Sequence, residues 1–90
     1  MPEYQTLVFT DEFLDSLLGG SFSRADVRRF IRALRLLDTN ERHPSLRVHA
    51  LKGDLVGLWS ASASDELRVT FRRLSNGRKA LIECSRHYGD

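Results

Sequence analysis

The period of the hydrophobic pattern changes at Pro44, and that change limits the folds open to this chain. Before it, Val27, Phe30, Ile31, Leu34 and Leu37 recur at helical spacing. After it, apolar and polar residues alternate with a period of two. Leu46, Val48 and Ala50 alternate with Arg47 and His49; Trp59, Ala61 and Ala63 with Ser60, Ser62 and Ser64. Leu67, Val69 and Phe71 alternate with Arg68, Thr70 and Arg72; Ala80, Ile82 and Cys84 with Leu81, Glu83, Ser85 and His87. A helix buries a stripe and a strand buries one face, so the two halves must become a helical layer and a sheet. Pro44 marks the boundary because it disfavours helix at His43.

The remaining elements follow from local signals. "YQTLVF" is a short β-rich run. Thr10 is placed to cap a first helix, with Asp11 and Glu12 at its positive end, Phe13, Leu14, Leu17 and Leu18 on one face, and Gly19-Gly20 as its stop. Ser23 and Asp26 form a capping-box pattern for the second helix, whose outer face carries Arg24, Arg28, Arg32 and Arg35. "LKGDLVGLW" reads as the turn of a long hairpin, and Asn76-Gly77 as a tight turn with positive φ angles. The order is β-α-α-β-β-β-β: an α+β domain spanning residues 1–90, with a mostly antiparallel sheet of four to five strands. The helical hairpin covers one sheet face and leaves the other at least partly open.

With 41% apolar and 29% charged residues the chain is of the folded, globular class. One cysteine, Cys84, excludes an internal disulfide and fits a reducing cytoplasm. The N-terminal stretch does not read as a charged-then-apolar leader, so none is expected, and no apolar run approaches the ~20 residues that span a bilayer. The net charge is only +2, yet from Leu67 onward six cations face two acids, Glu83 and Asp90. Such a bias points to a polyanion or an acidic protein partner, or simply to a solvated face.

The polar rows of the four later strands share the open face: Arg47 and His49; Ser60, Ser62 and Ser64; Arg68, Thr70 and Arg72; Glu83, Ser85 and His87. This set has no carboxylate pair of the glycosidase kind, no close Cys/His spacing for zinc and no phosphate-cradling glycine loop opening a helix, so neither metal nor cofactor is expected. It does suit RNA cleavage without a metal. A 2′-hydroxyl attacks the neighbouring phosphate, imidazoles exchange protons with the attacking and leaving oxygens, and arginines hold the charge on the phosphoryl oxygens. Each residue also has a plainer role. His49 is a surface strand residue, His43 a linker residue, Lys52 a turn lysine, and Arg68 a counter-charge to Glu83 across the sheet.

The second half of the chain, "HALKGDLVGLWSASASDELRVTFRR" followed by "ALIECSRHYGD", resembles the RelE/ParE superfamily of bacterial toxins, and within it the YafQ-like mRNA interferases. The resemblance is carried by His-x-Leu-x-Gly at His49 to Gly53, Gly-x-Trp at Gly57 to Trp59, Leu-Arg-Val-x-Phe at Leu67 to Phe71, and a last strand ending at His87. It implies a ribosome-dependent endoribonuclease that cuts mRNA in the decoding site beside 16S rRNA, and a cognate antitoxin that holds it in a hetero-oligomer. It assigns proton transfer to His87 and His49 and scissile-phosphate binding to Arg68. Arg47, Lys52, Arg72, Arg86 and Tyr88 are the accompanying RNA-binding candidates. Two departures from the pattern stand out, one on the third strand and its turn and one at the C-terminal end. Ser62 stands where a further histidine is expected, and the nearby aspartate falls at Glu66, beside Asp65. The family's C-terminal aromatic has only Tyr88 as a counterpart. The same fold also serves ParE-like inhibitors of DNA gyrase, and a degenerate relative would bind antitoxin or RNA without cutting.

Overall fold

The computed structural model describes residues 4–86. The elements are β1 (Leu7–Phe9), α1 (Asp11–Gly19), α2 (Arg24–Thr39), a 3-10 turn at Pro44–Leu46, β2 (His49–Ala50), a second 3-10 turn at Gly53–Leu55, β3 (Trp59–Ser62), β4 (Leu67–Arg73) and β5 (Lys79–Arg86). They form one five-stranded sheet in the order β1-β5-β4-β3-β2. β1 runs parallel to β5 and every other pairing is antiparallel. This is the expected β-α-α-β-β-β-β arrangement.

Both helices begin as their sequences dictate. The Thr10 hydroxyl accepts from the Phe13 N–H at 3.1 Å and donates to the carbonyl of Leu81, so the cap of α1 is also a tether to β5. The Ser16 hydroxyl, six residues on, adds a second tether, accepting from the Cys84 N–H at 2.8 Å. β1 pairs only as far as Leu81, and α1 side chains take over the exposed edge of β5 beyond it. In α2 the capping box is complete: Ser23 Oγ accepts from Asp26 N–H and the Asp26 carboxylate from Ser23 N–H.

The core lies between the helices and one sheet face, with Phe13, Phe30, Leu34 and Leu37 against Leu67, Val69, Phe71, Leu81 and Cys84. Of the expected inward residues, Leu14, Leu18 and Ile31 stay exposed, Leu18 at 83%. α1 rests on the edge of β5, so only the Phe13 side of its stripe is covered.

Three local expectations are corrected. The strand expected from Leu46 is cut to His49–Ala50, because Pro44 starts a 3-10 turn and Arg47 leaves it in the left-handed region at φ 46°. In the β4–β5 turn only Gly77 has positive φ, and the loop closes from Leu74 N–H to the Arg78 carbonyl. In β5, Thr70 faces Glu83 while Phe71 faces Leu81, so Ile82 is a bulge. The bulge reverses the alternation: Leu81 joins Cys84 in the core, and Ala80 moves to the face expected for Leu81.

Candidate functional site

The register of the strands builds the open face rung by rung. One rung runs His49, Ser60, Thr70, Glu83 from β2 to β5. The next runs Ser62, Arg68, Ser85. Arg72, opposite Ala80, belongs to a third. His49, Arg72 and Glu83 are exposed and Arg68 half-buried, whereas Ser60 and Ser62 are packed to 6% and 8% exposure. Strands about 4.8 Å apart and about 3.4 Å per residue put the Cα atoms of His49 and Arg68 about 12 Å apart on the same face.

Two of these side chains are oriented by their own backbone neighbours. His49 Nδ1 lies 2.8 Å from the carbonyl of Arg47. A carbonyl only accepts, so Nδ1 carries the hydrogen and the neutral ring keeps its Nε2 lone pair for a proton. Arg68 donates from Nη1 to the carbonyls of Ser64 at 2.7 Å and Leu67 at 3.0 Å. The guanidinium is thereby fixed against the β3–β4 turn without its charge being neutralised. Among the described residues it has no ion pair and its other N–H groups have no partner. The counter-charge role toward Glu83 is not realised, since Ser85 is the residue directly opposite Arg68.

The other candidates divide. Arg47 is exposed, and its left-handed backbone costs a non-glycine residue about 1 kcal/mol. Lys52 is exposed and stands before the second 3-10 turn, in the β2–β3 connection. Arg86 is a correction. It is paired with Leu67 of the core and points to the helix side, where Nη2 meets Asp26 at 2.6 Å and the guanidinium lies over the ring of Phe22. Its reading as an RNA contact came from charge alone; the strand's alternation puts it on the covered face. His87 and Tyr88 lie outside the described residues. His43 has a structural task, its Nδ1 accepting from Ser45 N–H at 3.2 Å to cap the turn after Pro44.

The acids on the helix side are tuned by these contacts. The Ser23 N–H, with Arg86 beside it, holds the Asp26 carboxyl below its usual range. Hydrogen bonding from Arg73 does the same for Glu41, which also reaches the buried Lys79 at 3.4 Å. At Asp38 burial pushes upward, but the N–H groups of Gln5 and Thr6 and the Thr6 hydroxyl outweigh it and leave the carboxyl lowered. This network was missed in the sequence because its members lie far apart along the chain. Burial pushes the Cys84 thiol up to about 12, so it is no nucleophile near neutral pH.

No protein-family model and no curated sequence matches this chain. Solved structures do. A YoeB/ParE toxin from Agrobacterium tumefaciens is 27% identical with a TM-score of 0.70, covering 93% of this chain and all of that one. The DinJ-YafQ toxin-antitoxin complex of E. coli gives 13% identity and a TM-score of 0.71, covering 94% of each chain. The YoeB-YefM complex of Staphylococcus aureus gives 21% and 0.66, covering 91% of this chain and 95% of that one. The structural neighbours are thus toxins of toxin–antitoxin pairs, and over nearly its whole length this chain has the RelE/ParE-like toxin fold, with YafQ among its likenesses.

Proposed function

We propose that this chain is the toxin of a bacterial type II toxin–antitoxin pair and acts as an endoribonuclease on ribosome-bound mRNA. The observation that supports it best is the open face, where the strand register sets an oriented His49 and an un-neutralised Arg68 on adjacent rungs. His49 and His87 exchange protons with the attacking 2′-hydroxyl and the leaving 5′-oxygen. Arg68 stabilises the charge that builds on the phosphoryl oxygens. Arg72, Lys52 and Arg47 attract the flanking backbone, and Tyr88 offers a base an aromatic surface. This chemistry needs no metal or cofactor. A cognate antitoxin covers the same face, its acidic residues opposite Arg68 and Arg72, where desolvated charge pairs govern release.

Expression of the chain alone in a bacterium tests this. Growth arrest with new 5′ ends inside translated frames, lost in Arg68→Ala, is the expected result. Arrest with broken chromosomal DNA and intact mRNA would replace it with gyrase inhibition. Antitoxin binding without arrest would leave a non-catalytic relative.

A further inference from the structure

The sheet is one rung short beside the open face. Leu51 N–H donates to the Leu58 carbonyl, so along β3 it is residues 58, 60 and 62 whose backbone groups face β2. The partner of Ser60 is His49, and continuation of the ladder would bring Arg47 opposite Ser62. Arg47 is instead left-handed at φ 46° and has left the strand. Toward β4 the bonded pair is Ala63 with Leu67, which makes Ser62 opposite Arg68 a non-bonded pair. Among the described residues the Ser62 N–H and C=O therefore have no hydrogen-bond partner.

Ser62 lines a groove of about 350 Å³ between α2, the Pro44–Leu46 turn and the end of β3. Arg32, Arg47, Ser45, Ser62 and Ser64 give it two cations, three hydroxyls and the free backbone pair, against one acid, Asp65. Arg32, expected on the outer face of α2, lines the groove beside Ala33 and Leu36. We propose that this groove is a second phosphate subsite, holding the sugar-phosphate of a nucleotide that flanks the one bound at Arg68. The two guanidiniums and the Ser62 N–H bind phosphate oxygens, and the Ser62 carbonyl accepts from a ribose hydroxyl. Ser62 joins the groove to Arg68 through their shared rung, so one strand of RNA can occupy both. A peptide added to the sheet edge fits less well, because a single free residue offers no row of backbone pairs for a strand.

The inference rests on RNA as the substrate, and it is tested by binding, without cleavage. A fluorescein-labelled ten-nucleotide single-stranded RNA is titrated with wild type, Arg32→Ala, Arg47→Gly and the double variant over a range of KCl concentrations. Both sites tolerate the change: Arg32 is exposed, and a left-handed backbone suits glycine. Each lost phosphate contact lowers the magnitude of the log K against log [KCl] slope by about 0.7, and the double variant lowers it by about 1.4. Arg28→Ala, on α2 but outside the groove, keeps the wild-type slope. An unchanged slope in the double variant overturns the subsite. So does a hexaglutamate peptide whose binding needs Arg32 and Arg47 while that of the RNA does not; the groove would then belong to an acidic protein. Slope loss in a protein that never cuts mRNA retains the subsite and removes the nuclease; cutting with an unchanged slope does the reverse.

Discussion

The two faces of the sheet treat their cations differently. On the helix side Arg86 is bound to Asp26, and Arg73 and the buried Lys79 share Glu41. On the open side Arg68 and Arg72 have no ion pair among the described residues, and Arg68 is held by neutral carbonyls. All but Lys79 are arginines, and Arg68, Arg72 and Arg73 lie on one strand. A cation facing the core must be neutralised, because unpaired charge there is expensive. A cation oriented by carbonyls keeps its field for an outside anion. The same residue type is thus structural on one face and available for binding on the other.

Removal of proton transfer or of open-face charge should give the largest effects. His87→Ala is expected to slow single-turnover cleavage on programmed ribosomes by about 10²–10⁴ and to flatten the limb of the pH–rate profile near neutrality. Full activity in that variant would make the terminal histidine idle. Arg68→Ala should slow cleavage by about 10²–10³ while retaining that limb, since it removes charge stabilisation and not a proton carrier. Its melting temperature should match wild type; a large drop would place Arg68 with the structural cations and erase the contrast between faces.

The helix side should show the opposite signature. Glu41→Ala leaves Lys79, whose side chain is only 5% exposed, without its acid. It should lose on the order of 3 kcal/mol, a drop of roughly 12 °C or more in Tm, with cleavage unchanged where the protein stays folded. Acid should act on the same groups. Asp26, Asp38 and Glu41 have folded-state pKa values below their unfolded ones. Their contribution is complete above the unfolded carboxylate range, about pH 4, and is lost as pH falls through the lower folded values. Thermal melts should be level from pH 7 to 5 and fall below 4. A melting temperature that falls between pH 7 and 5 would mean that other groups govern stability. The smallest effect concerns Cys84. With the residue at 4% exposure and its thiol pKa raised, iodoacetamide at pH 8 should leave the native protein unmodified by mass and fully active.

Much of this architecture is legible along the chain. The break at Pro44, the Thr10 and Ser23 caps and the alternation in β4 are local signals, and each element formed where its signal lay. The open-face residues His49, Arg68 and Arg72 could be read for the same reason, because a period of two assigns faces without knowledge of neighbours. Arg86 could not. One strand bulge at Ile82 reverses which β5 residues face the helices, and no local residue choice announces it.

What the sequence alone determined is the list of elements, their order and the polar row of each regular strand, since propensity, caps and periodicity act within a few residues. Tertiary structure decided the rest: the parallel docking of β1 on β5, the bulge, the pairing of Arg86 and Lys79 with acids 60 and 38 residues away, and the groove that joins Arg32 to Ser62. Those features depend on which groups remain unsatisfied once the sheet has closed against the helices. A buried charge or an unpaired backbone N–H finds its partner in space, at a separation that no local pattern encodes.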